Sequence, residues 1–500
     1  MRVFELRNGR GEHTRFIEHV ETTRQSRPMI LALAALSLSM LLSSLGTSVA
    51  NVALPTLTEA FDVSFQAVQW VVLAYLLGIT TLIVSAGKLG DLFGRRRLLL
   101  AGLTIFLVAS TVCGAAPSLW VLIVARGVQG IGAAIMMAVT LALVGETVSK
   151  ERIGSAIGLL GTMSAVGTAL GPSLGGALIA SIGWRSIFFV NVPLATLAIV
   201  LAYQHLPRDS GSPASLRSGF DATGTLLLAL TLGSYALAMT IGRGSFSIAN
   251  VGLLLVTAAG VGLFIAVELR TATPLVRLSM FNDPVLSTGL AMNALVSTVM
   301  MSTLVVGPFY LSKSLGFGAA MVGAVMTVGP IVVALTGVPA GRIVDNVGAW
   351  RMTISGIVGM AAGSILLAVL PKSTGLPGYI FPLIGITFGY ALFQTANNTA
   401  VMKDVEKSQR GVMSGMLNLS RNLGLITGAS VMGAIFAMGS GTNDIKHALP
   451  GEVSVGMHAT FAVASVFILV AFVLAVRVKG RSAALSVGPL PVCKEGASPA

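Results

Sequence analysis

Charged residues are scarce in this chain of 500 residues: they make up 10% of it, whereas apolar residues make up 54%. A globule of this size with so little polar surface would not stay in water, which excludes an ordinary soluble protein. Apolar runs of roughly 20 residues, long enough to cross about 30 Å of hydrocarbon, recur along the chain. Fourteen such runs are found. The sequence therefore predicts an all-α polytopic membrane protein with fourteen transmembrane helices.

Reactive and metal-binding residues are also few. The two cysteines, Cys113 and Cys493, provide no disulfide or metal framework. The five histidines lie in the tail, in or beside loops, or at the edge of the last run, and form no catalytic cluster with acids. No Walker-type phosphate loop is found either. We therefore predict no cofactor, no metal and no enzymatic activity, and the chain is not expected to use ATP.

Basic residues are present in excess, with a formal net charge of +13, and they are distributed unevenly. The predicted outer side holds only five of the 32 Lys and Arg residues: Arg185, Arg243, Lys313, Lys372 and Lys446. By the positive-inside rule both termini face the cytoplasm, so the basicity reflects topology and no nucleic-acid partner is expected. Residues 1–27 lack the apolar core of a signal peptide. We predict a multi-pass protein of a cell membrane, the bacterial inner membrane.

An internal repeat divides the chain. The segment Gly87–Arg97, GKLGDLFGRRR, recurs 254 positions later as Gly341–Arg351, GRIVDNVGAWR. Parallel halves of this kind are typical of secondary transporters. The predicted divisions are a cytoplasmic tail (1–27), a six-helix bundle (28–206), linkers with two extra helices (207–283), a second six-helix bundle (284–477) and a C-terminal tail (478–500).

These motifs carry a resemblance to a known family. The segment GKLGDLFGRRR resembles the signature turn between helices 2 and 3 of the major facilitator superfamily, and LIVARGVQGIGAA (122–134) resembles its fourth-helix motif. GTALGPSLGG (167–176) resembles its fifth-helix antiporter motif. GWRSIFFVNVP (183–193) and FDATG (220–224) are similar to the fourteen-helix drug:proton antiporter branch. The resemblance implies a major facilitator fold that exports small amphipathic compounds or drugs by alternating access, in exchange for protons, and we expect a monomer.

One position departs from that branch, which carries an Asp in the first helix before the sequence N-x-A-L-P. Here Asn51 begins NVALP and the corresponding position is Gly46. The predicted membrane interior holds two positive charges, Arg126 and Arg421, and no evident negative one. A lipophilic cation would therefore be disfavoured at the centre. The alternative is a facilitator or exporter of a neutral or anionic metabolite.

Two residues are candidates for proton coupling, Arg126 and Glu146. Burying Arg126 costs at least ~2.5 kcal/mol on insertion scales, so polar groups must face it. It is either a structural hub that binds backbone carbonyls or a group whose field tunes a proton site or meets substrate. Glu146, near the cytoplasmic end of the fourth helix, is either an interfacial charge that pairs with a basic loop residue or the proton carrier.

Polar residues inside the predicted helices mark a candidate substrate cavity. In the second half they fall on two stripes with i, i+3, i+4 spacing, which puts each set on one helix face. The alternative for the amides is hydrogen bonding between helices. The candidate cavity residues are Asn51, Gln69, Tyr75, Gln129, Gln394, Asn397, Asn398, Asn418, Arg421 and Asn422.

Two further sets are candidates for conformational roles. The duplicated turn is expected, from the resemblance, to latch the halves on the cytoplasmic side; basic topogenesis is the alternative. Its residues are Gly87, Asp91, Gly94, Arg95, Arg96 and Asp345. The fifth helix is a candidate hinge, with close helix packing as the alternative. Its residues are Gly167, Gly171, Pro172, Gly175 and Gly176, of which Gly167 and Gly171 recur 257 positions later as Gly424 and Gly428.

Overall fold

The computed structural model describes residues 9–148, 153–209, 221–240, 247–271, 274, 281–402, 410–441 and 448–486. The side chains of Gly87, Asp91 and Asp345, which belong to the candidate latch, lie outside this described part, as do the side chains of the two predicted tails, 1–27 and 478–500.

Seven α-helices form the first half of the chain. The sixth and seventh follow each other without a loop and together form one membrane span, Ser186–His205. The helices are α1 (Gly9–Phe61), α2 (Phe65–Phe93), α3 (Arg95–Ala115), α4 (Leu119–Thr147), α5 (Ile153–Ser181), α6 (Ser186–Phe189) and α7 (Asn191–His205).

Two helices stand between the halves, and seven form the second half. The middle pair is α8 (Ala222–Thr240) and α9 (Ile248–Glu268). A π-helical turn, Tyr310–Ser314, extends α10, and another, Gly428–Met432, joins α14 to α15. The helices of the second half are α10 (Pro284–Phe309), α11 (Ala319–Val347), α12 (Ala349–Val369), α13 (Pro377–Met402), α14 (Arg410–Thr427), α15 (Gly433–Gly439) and α16 (Pro450–Ser486).

The predicted membrane helices are present. Among the described residues, 13 helices are long and apolar enough to cross a bilayer, and α8 has a shorter apolar stretch, Thr223–Ala238. No strand occurs in the described ranges. Two helices extend past their apolar runs: α1 continues to Phe61, and α11 continues through Pro339 to Val347. Helices persist beyond apolar runs because backbone groups in lipid need internal partners, and one proline removes only one bond.

The duplicated turns have the same backbone geometry. Gly94 alone links α2 to α3, and Gly348 alone links α11 to α12. Their φ angles are 91° and 92°, in the left-handed region that favours glycine. The residues that the sequence pairs across 254 positions therefore perform the same structural task in each half.

Helix packing repeats in the same way. In the first half α1 packs mainly on α5, and in the second half α10 packs on α14. A Cβ at Gly167 would lie 2.5 Å from the Leu41 carbonyl oxygen of α1, and one at Gly428 would lie 2.5 Å from the Thr298 carbonyl oxygen of α10. The extra helices α8 and α9 pack on each other, and α9 is almost wholly exposed on the surface that lipid covers.

Candidate substrate cavity

A cavity of about 320 Å³ lies between the two halves. The first half contributes hydroxyl groups to its wall, and the second half contributes Gln394 from α13 and Arg421 and Asn422 from α14. Apolar side chains make up most of the remaining wall, among them Leu76, Met137 and Met300. An apolar enclosure with a few convergent polar groups is the usual form of a small-molecule site.

The hydroxyl wall is largely bonded within itself. Ser44 and Ser164 share a 2.6 Å hydrogen bond between their hydroxyl oxygens, which joins α1 to α5. Thr47 donates to the Ser43 carbonyl oxygen at 3.1 Å, and Thr168 donates to that of Ser164 at 3.0 Å. These side chains add polar atoms to the wall, but their hydroxyl groups already take part in hydrogen bonds within the protein.

The wall of the second half has unbonded groups. Arg421 is the one charged residue among the lining side chains. Its buried Nε has no hydrogen-bond partner within the described structure, and neither does the Oε1 atom of Gln394. Buried polar groups in proteins are normally bonded, so these two atoms are candidates for ligand contacts.

Arg126 lies away from this cavity and is completely buried. Its Nε donates to the Val71 carbonyl oxygen at 2.9 Å, one terminal nitrogen donates to that of Gly46 at 3.0 Å, and the other donates to Gln129 Oε1 at 2.6 Å. The guanidinium carbon lies 4.1 Å from the centroid of the Tyr75 ring, a cation–π contact. Arg126 therefore connects α1, α2 and α4 without a carboxylate partner in the described structure.

Close packing at glycine residues and the side chain of Tyr75 determine the surroundings of Arg126. Gly130 brings the backbone of α4 against that of α2 at Tyr75, which places Arg126 beside the α2 carbonyl groups. The Tyr75 hydroxyl donates to the Ser43 carbonyl oxygen at 2.8 Å. A Cβ at Gly46 would lie 2.9 Å from that hydroxyl, so a side chain at the position that holds Asp in the resembled branch would require the Tyr75 side chain to shift here.

Of the ten predicted cavity residues, Gln394, Arg421 and Asn422 line the cavity. Others lie buried in helix interfaces and bond neighbouring groups. Gln129 donates to Ser110 Oγ at 2.7 Å, Asn51 to the Thr47 carbonyl oxygen at 3.1 Å, and Asn397 to that of Gly289 at 3.2 Å. Tyr75 and Gln69 are equally buried, and Asn398 and Asn418 are half-buried on α13 and α14. The lining hydroxyls of α1 and α5 were missed because serine and threonine are common in any membrane helix.

Glu146 lies at the cytoplasmic end of α4, with its side chain 46% exposed. It forms an ion pair with Arg95 of the duplicated turn, at 2.9 Å. The basic residues of the loop that follows α4, Lys150 and Arg152, lie outside the described residues. Arg96 of the same turn donates to the Tyr203 carbonyl oxygen of α7 and lies over the Tyr203 ring. Both arginines therefore contact the first half, to which they belong.

Asp209 is a functional candidate that sequence reasoning missed. Its carboxylate accepts hydrogen bonds from the backbone N–H groups of Arg96 at 2.9 Å and Arg97 at 3.2 Å, and so caps the N-terminus of α3. A Cβ at Gly94 would lie 2.5 Å from the Asp209 carboxyl carbon. The linker between the halves is thereby fixed to the duplicated turn. The contact joins Asp209 to Arg97, which lies 112 positions earlier, so no local sequence pattern predicts it.

The glycines of the candidate hinge lie at two interfaces. Gly167, Gly171 and Gly175 face α1, where a Cβ at Gly175 would lie 2.8 Å from a Val52 methyl carbon. Gly176 faces the other half, where its Cβ would lie 2.6 Å from the Ala319 carbonyl oxygen of α11. Pro172 lies inside α5, with its carbonyl oxygen against Gly323 of α11.

The halves meet at their outer ends. Lys313 and Glu59 form an ion pair at 2.6 Å, and Gln69 donates to the Ala429 carbonyl oxygen at 2.8 Å. Ala429 belongs to the π-helical turn of Gly428–Met432, a local irregularity of the kind found at functional sites. Three aromatic rings add a buried cluster: Phe65 of α2 lies with its centroid 4.7 Å from that of Phe309 and 5.4 Å from that of Phe436.

Two helical bundles with equivalent turns and packing, a mostly apolar cavity with a few polar groups between them, and closure at one end define a membrane transporter. The chain belongs to the Major Facilitator Superfamily, whose family model matches residues 36–429. The predicted family and membrane location are thereby confirmed, and the protein is a transporter and not an enzyme.

The chain is similar to several bacterial transporters. It is 32% identical over 417 residues to the multidrug resistance protein Stp of Mycobacterium tuberculosis (strain CDC 1551 / Oshkosh), which covers 82% of this chain and 76% of Stp. It is 30% identical to the riboflavin transporter RibZ of Clostridioides difficile (strain 630), over 81% of this chain and 88% of RibZ. The fold matches the crystal structure of a bacterial homologue of the human lysosomal transporter Spinster with a TM-score of 0.65, at 15% identity, over 93% of this chain and 99% of that one.

Proposed function

We propose that this protein exports small amphipathic compounds by alternating access, in exchange for protons. The observation that carries the proposal is a central, mostly apolar cavity between two bundles that contact each other at their outer ends. In the proposal this cavity loads from the cytoplasm. The bundles correspond to residues 28–206 and 284–477, and the protein works as a monomer. The names of the relatives support a small-molecule substrate, a multidrug range for Stp and riboflavin for RibZ.

Proton coupling in this proposal acts through Glu146. Protonation removes its negative charge and weakens the ion pair with Arg95. Arg95 is part of the duplicated turn, so a proton on Glu146 would alter the contacts of the cytoplasmic latch. Arg126 takes part as a positive charge that is held in one position, because each of its three nitrogens already donates a hydrogen bond.

The latch and the hinge are parts of the same proposal. In the outward-open state Asp91, Arg95 and Arg96 would engage the opposite half, with Asp345 in the equivalent turn. Gly94 supports this by giving a tight turn that Asp209 holds in place. Gly176 and Pro172 of α5 support a hinge, because the backbones of α5 and α11 are in contact there with no side chain between them to block sliding.

Proton release from inside-out vesicles tests the coupling. Addition of a transported dye should release protons in the wild type, and Glu146→Gln should abolish the release while dye binding persists. Glu452→Gln is the matched control, because Glu452 lies at the outer start of α16 and bonds the Leu449 N–H. Proton release that survives in Glu146→Gln excludes this residue as the carrier.

A second candidate function is a facilitator or exporter of a neutral or anionic metabolite. It is favoured because the cavity wall described here carries no carboxyl group. Transport that continues after an uncoupler has collapsed the proton gradient, with no proton release on substrate addition, would identify the facilitator. Inhibition by the uncoupler would favour antiport.

A further inference from the structure

The cavity wall formed by the second half has groups that need partners. Arg421 carries a permanent charge, and its Nε has no acceptor in the described structure. Gln394, on the neighbouring helix α13, has an Oε1 atom without a donor. Burial of unpaired polar groups is unfavourable, so a ligand that supplies an acceptor to Arg421 gains affinity there.

We propose that the cavity binds an amphipathic organic anion, with its carboxylate or other oxyanion held by Arg421. This inference rests on the proposed export function and specifies its substrate class. A guanidinium group matches the geometry of an oxyanion through two parallel N–H donors. Gln394 lies on the same wall and accepts from a hydroxyl or amide N–H of the ligand.

The charge balance of the cavity selects against cations. Among the described residues that line it, Arg421 is the one charged side chain and none is acidic. Arg126 belongs to another set of contacts, in which each of its three nitrogens donates one hydrogen bond. A cation in the cavity would meet an uncompensated positive charge in a medium of low dielectric constant, whereas an anion would neutralise that charge.

The rest of the wall fits the apolar body of such a ligand. Three methionines, Met137, Met300 and Met326, line the cavity together with leucines. Methionine side chains adapt to ligands of different shape. Recognition by charge and adaptable packing predicts a set of anions with varied apolar bodies rather than a single compound.

Three probes with one aromatic body separate charge from shape: 1-naphthaleneacetate, 1-naphthaleneacetamide and 2-(1-naphthyl)ethylamine. Equilibrium binding to the purified full-length protein should favour the carboxylate over the amide and the amine by at least tenfold. Arg421→Gln should weaken carboxylate binding at least tenfold and leave amide binding within twofold. Arg421→Lys, which keeps the charge, should fall between these values.

Lys372→Gln is the matched control, because it removes the same charge from an exposed outer loop and should change nothing. Absence of carboxylate binding, a preference for the amine, or equal weakening of all three probes by Arg421→Gln would overturn the inference. If Arg421→Gln does not fold, the wild-type preference and Arg421→Lys still decide the question. Uptake of the amide into inside-out vesicles tests the export function separately from the substrate class. If the protein exports the amide but binds anions no better than the other probes, the substrate class is refuted and the export function is not.

Discussion

Two arginines that lie inside described membrane helices, the buried Arg126 and the half-buried Arg421, belong to different halves and have opposite surroundings. Arg126 in the first half donates from every nitrogen and stacks on Tyr75. Arg421 in the second half faces the cavity with an unbonded Nε. The offset of 257 residues that relates Gly167 to Gly424 relates Arg421 to Ser164, which also lines the cavity but bonds Ser44. Burial of a charge therefore indicates function only after its partners are known.

The difference arises from backbone packing. Close approach of α2 and α4 at Gly130 presents carbonyl oxygens to Arg126, whereas no neighbouring carbonyl reaches Arg421 Nε in the described structure. The first half is thus a fixed scaffold around its charge. In our proposal the second half supplies the recognition.

The largest expected effect is that of Arg126→Ala. It leaves the Gly46 and Val71 carbonyl oxygens and Gln129 without their donor and opens a void, so we expect a loss of about 3 kcal/mol or more in stability and loss of transport. The protein should still insert into the membrane. Thermal unfolding of detergent-purified protein and dye uptake into vesicles measure the two quantities.

Arg421→Ala is the matched comparison for that experiment. The same residue type is removed where its buried Nε has no partner in the described structure, so the free energy of unfolding should change by less than about 1 kcal/mol. Equal destabilisation by both substitutions would contradict the contrast between the two halves.

A second experiment restores the missing acid of the first half. Gly46→Asp alone should destabilise the protein by about 1–3 kcal/mol, because its Cβ collides with the Tyr75 hydroxyl. Combination with Tyr75→Phe removes that hydroxyl and should recover part of the loss. The double variant should also gain affinity for the naphthylethylamine cation, and an unchanged preference for anions would show that position 46 does not reach the substrate.

A third experiment concerns the outer closure, to which both halves contribute. Gln69→Leu removes the hydrogen bond to Ala429 and should shift the equilibrium towards the outward-open state by about 1 kcal/mol, roughly fivefold. The rate of labelling of a single cysteine at the outer mouth reports this shift. Gln66→Leu is the control on the same helix, because neither amide atom of Gln66 has a partner in the described structure.

The smallest effect is expected at the Glu59–Lys313 ion pair. Its members are 55% and 21% exposed, and such pairs contribute about 0–1 kcal/mol. Glu59→Gln should therefore change cysteine labelling by less than about fivefold, and 1 M salt should remove the difference from the wild type. A larger effect than that of Gln69→Leu would mean that charge, and not buried packing, holds the outer side closed.

Much of the fold could be predicted from sequence, because hydrophobic length and the positive-inside rule act on each helix separately. The repeat even predicted the equivalence of Gly94 and Gly348, which have nearly the same φ. The site was less predictable. The stripe of Gln394, Asn397 and Asn398 shares one face, yet Asn397 turns to the Gly289 carbonyl oxygen while Gln394 reaches the cavity. Small differences in rotation about a helix axis decide this, and they depend on neighbouring helices.

A hub of backbone carbonyls was one of the two interpretations of Arg126, but the particular carbonyl groups that bind it, and the cap from Asp209, escaped prediction for a related reason. Both involve backbone groups, the carbonyl oxygens of Gly46 and Val71 and the N–H groups at the start of α3. Every residue carries such groups, so no pattern of side chains indicates them. Only the distance between helices shows which of them are within reach.

The paired arrangement of α8 and α9 has a consequence for how this protein arose and can be rebuilt. A hairpin leaves the membrane on the face where it entered, so its insertion or deletion preserves the orientation of α10 to α16. A single added helix would turn the entire second bundle upside down and destroy the parallel relation of the two repeats. Transmembrane helices can therefore be added to this chain only in pairs if the second bundle is to keep its orientation. The segment between the two bundles is a place where an added pair leaves both bundles intact.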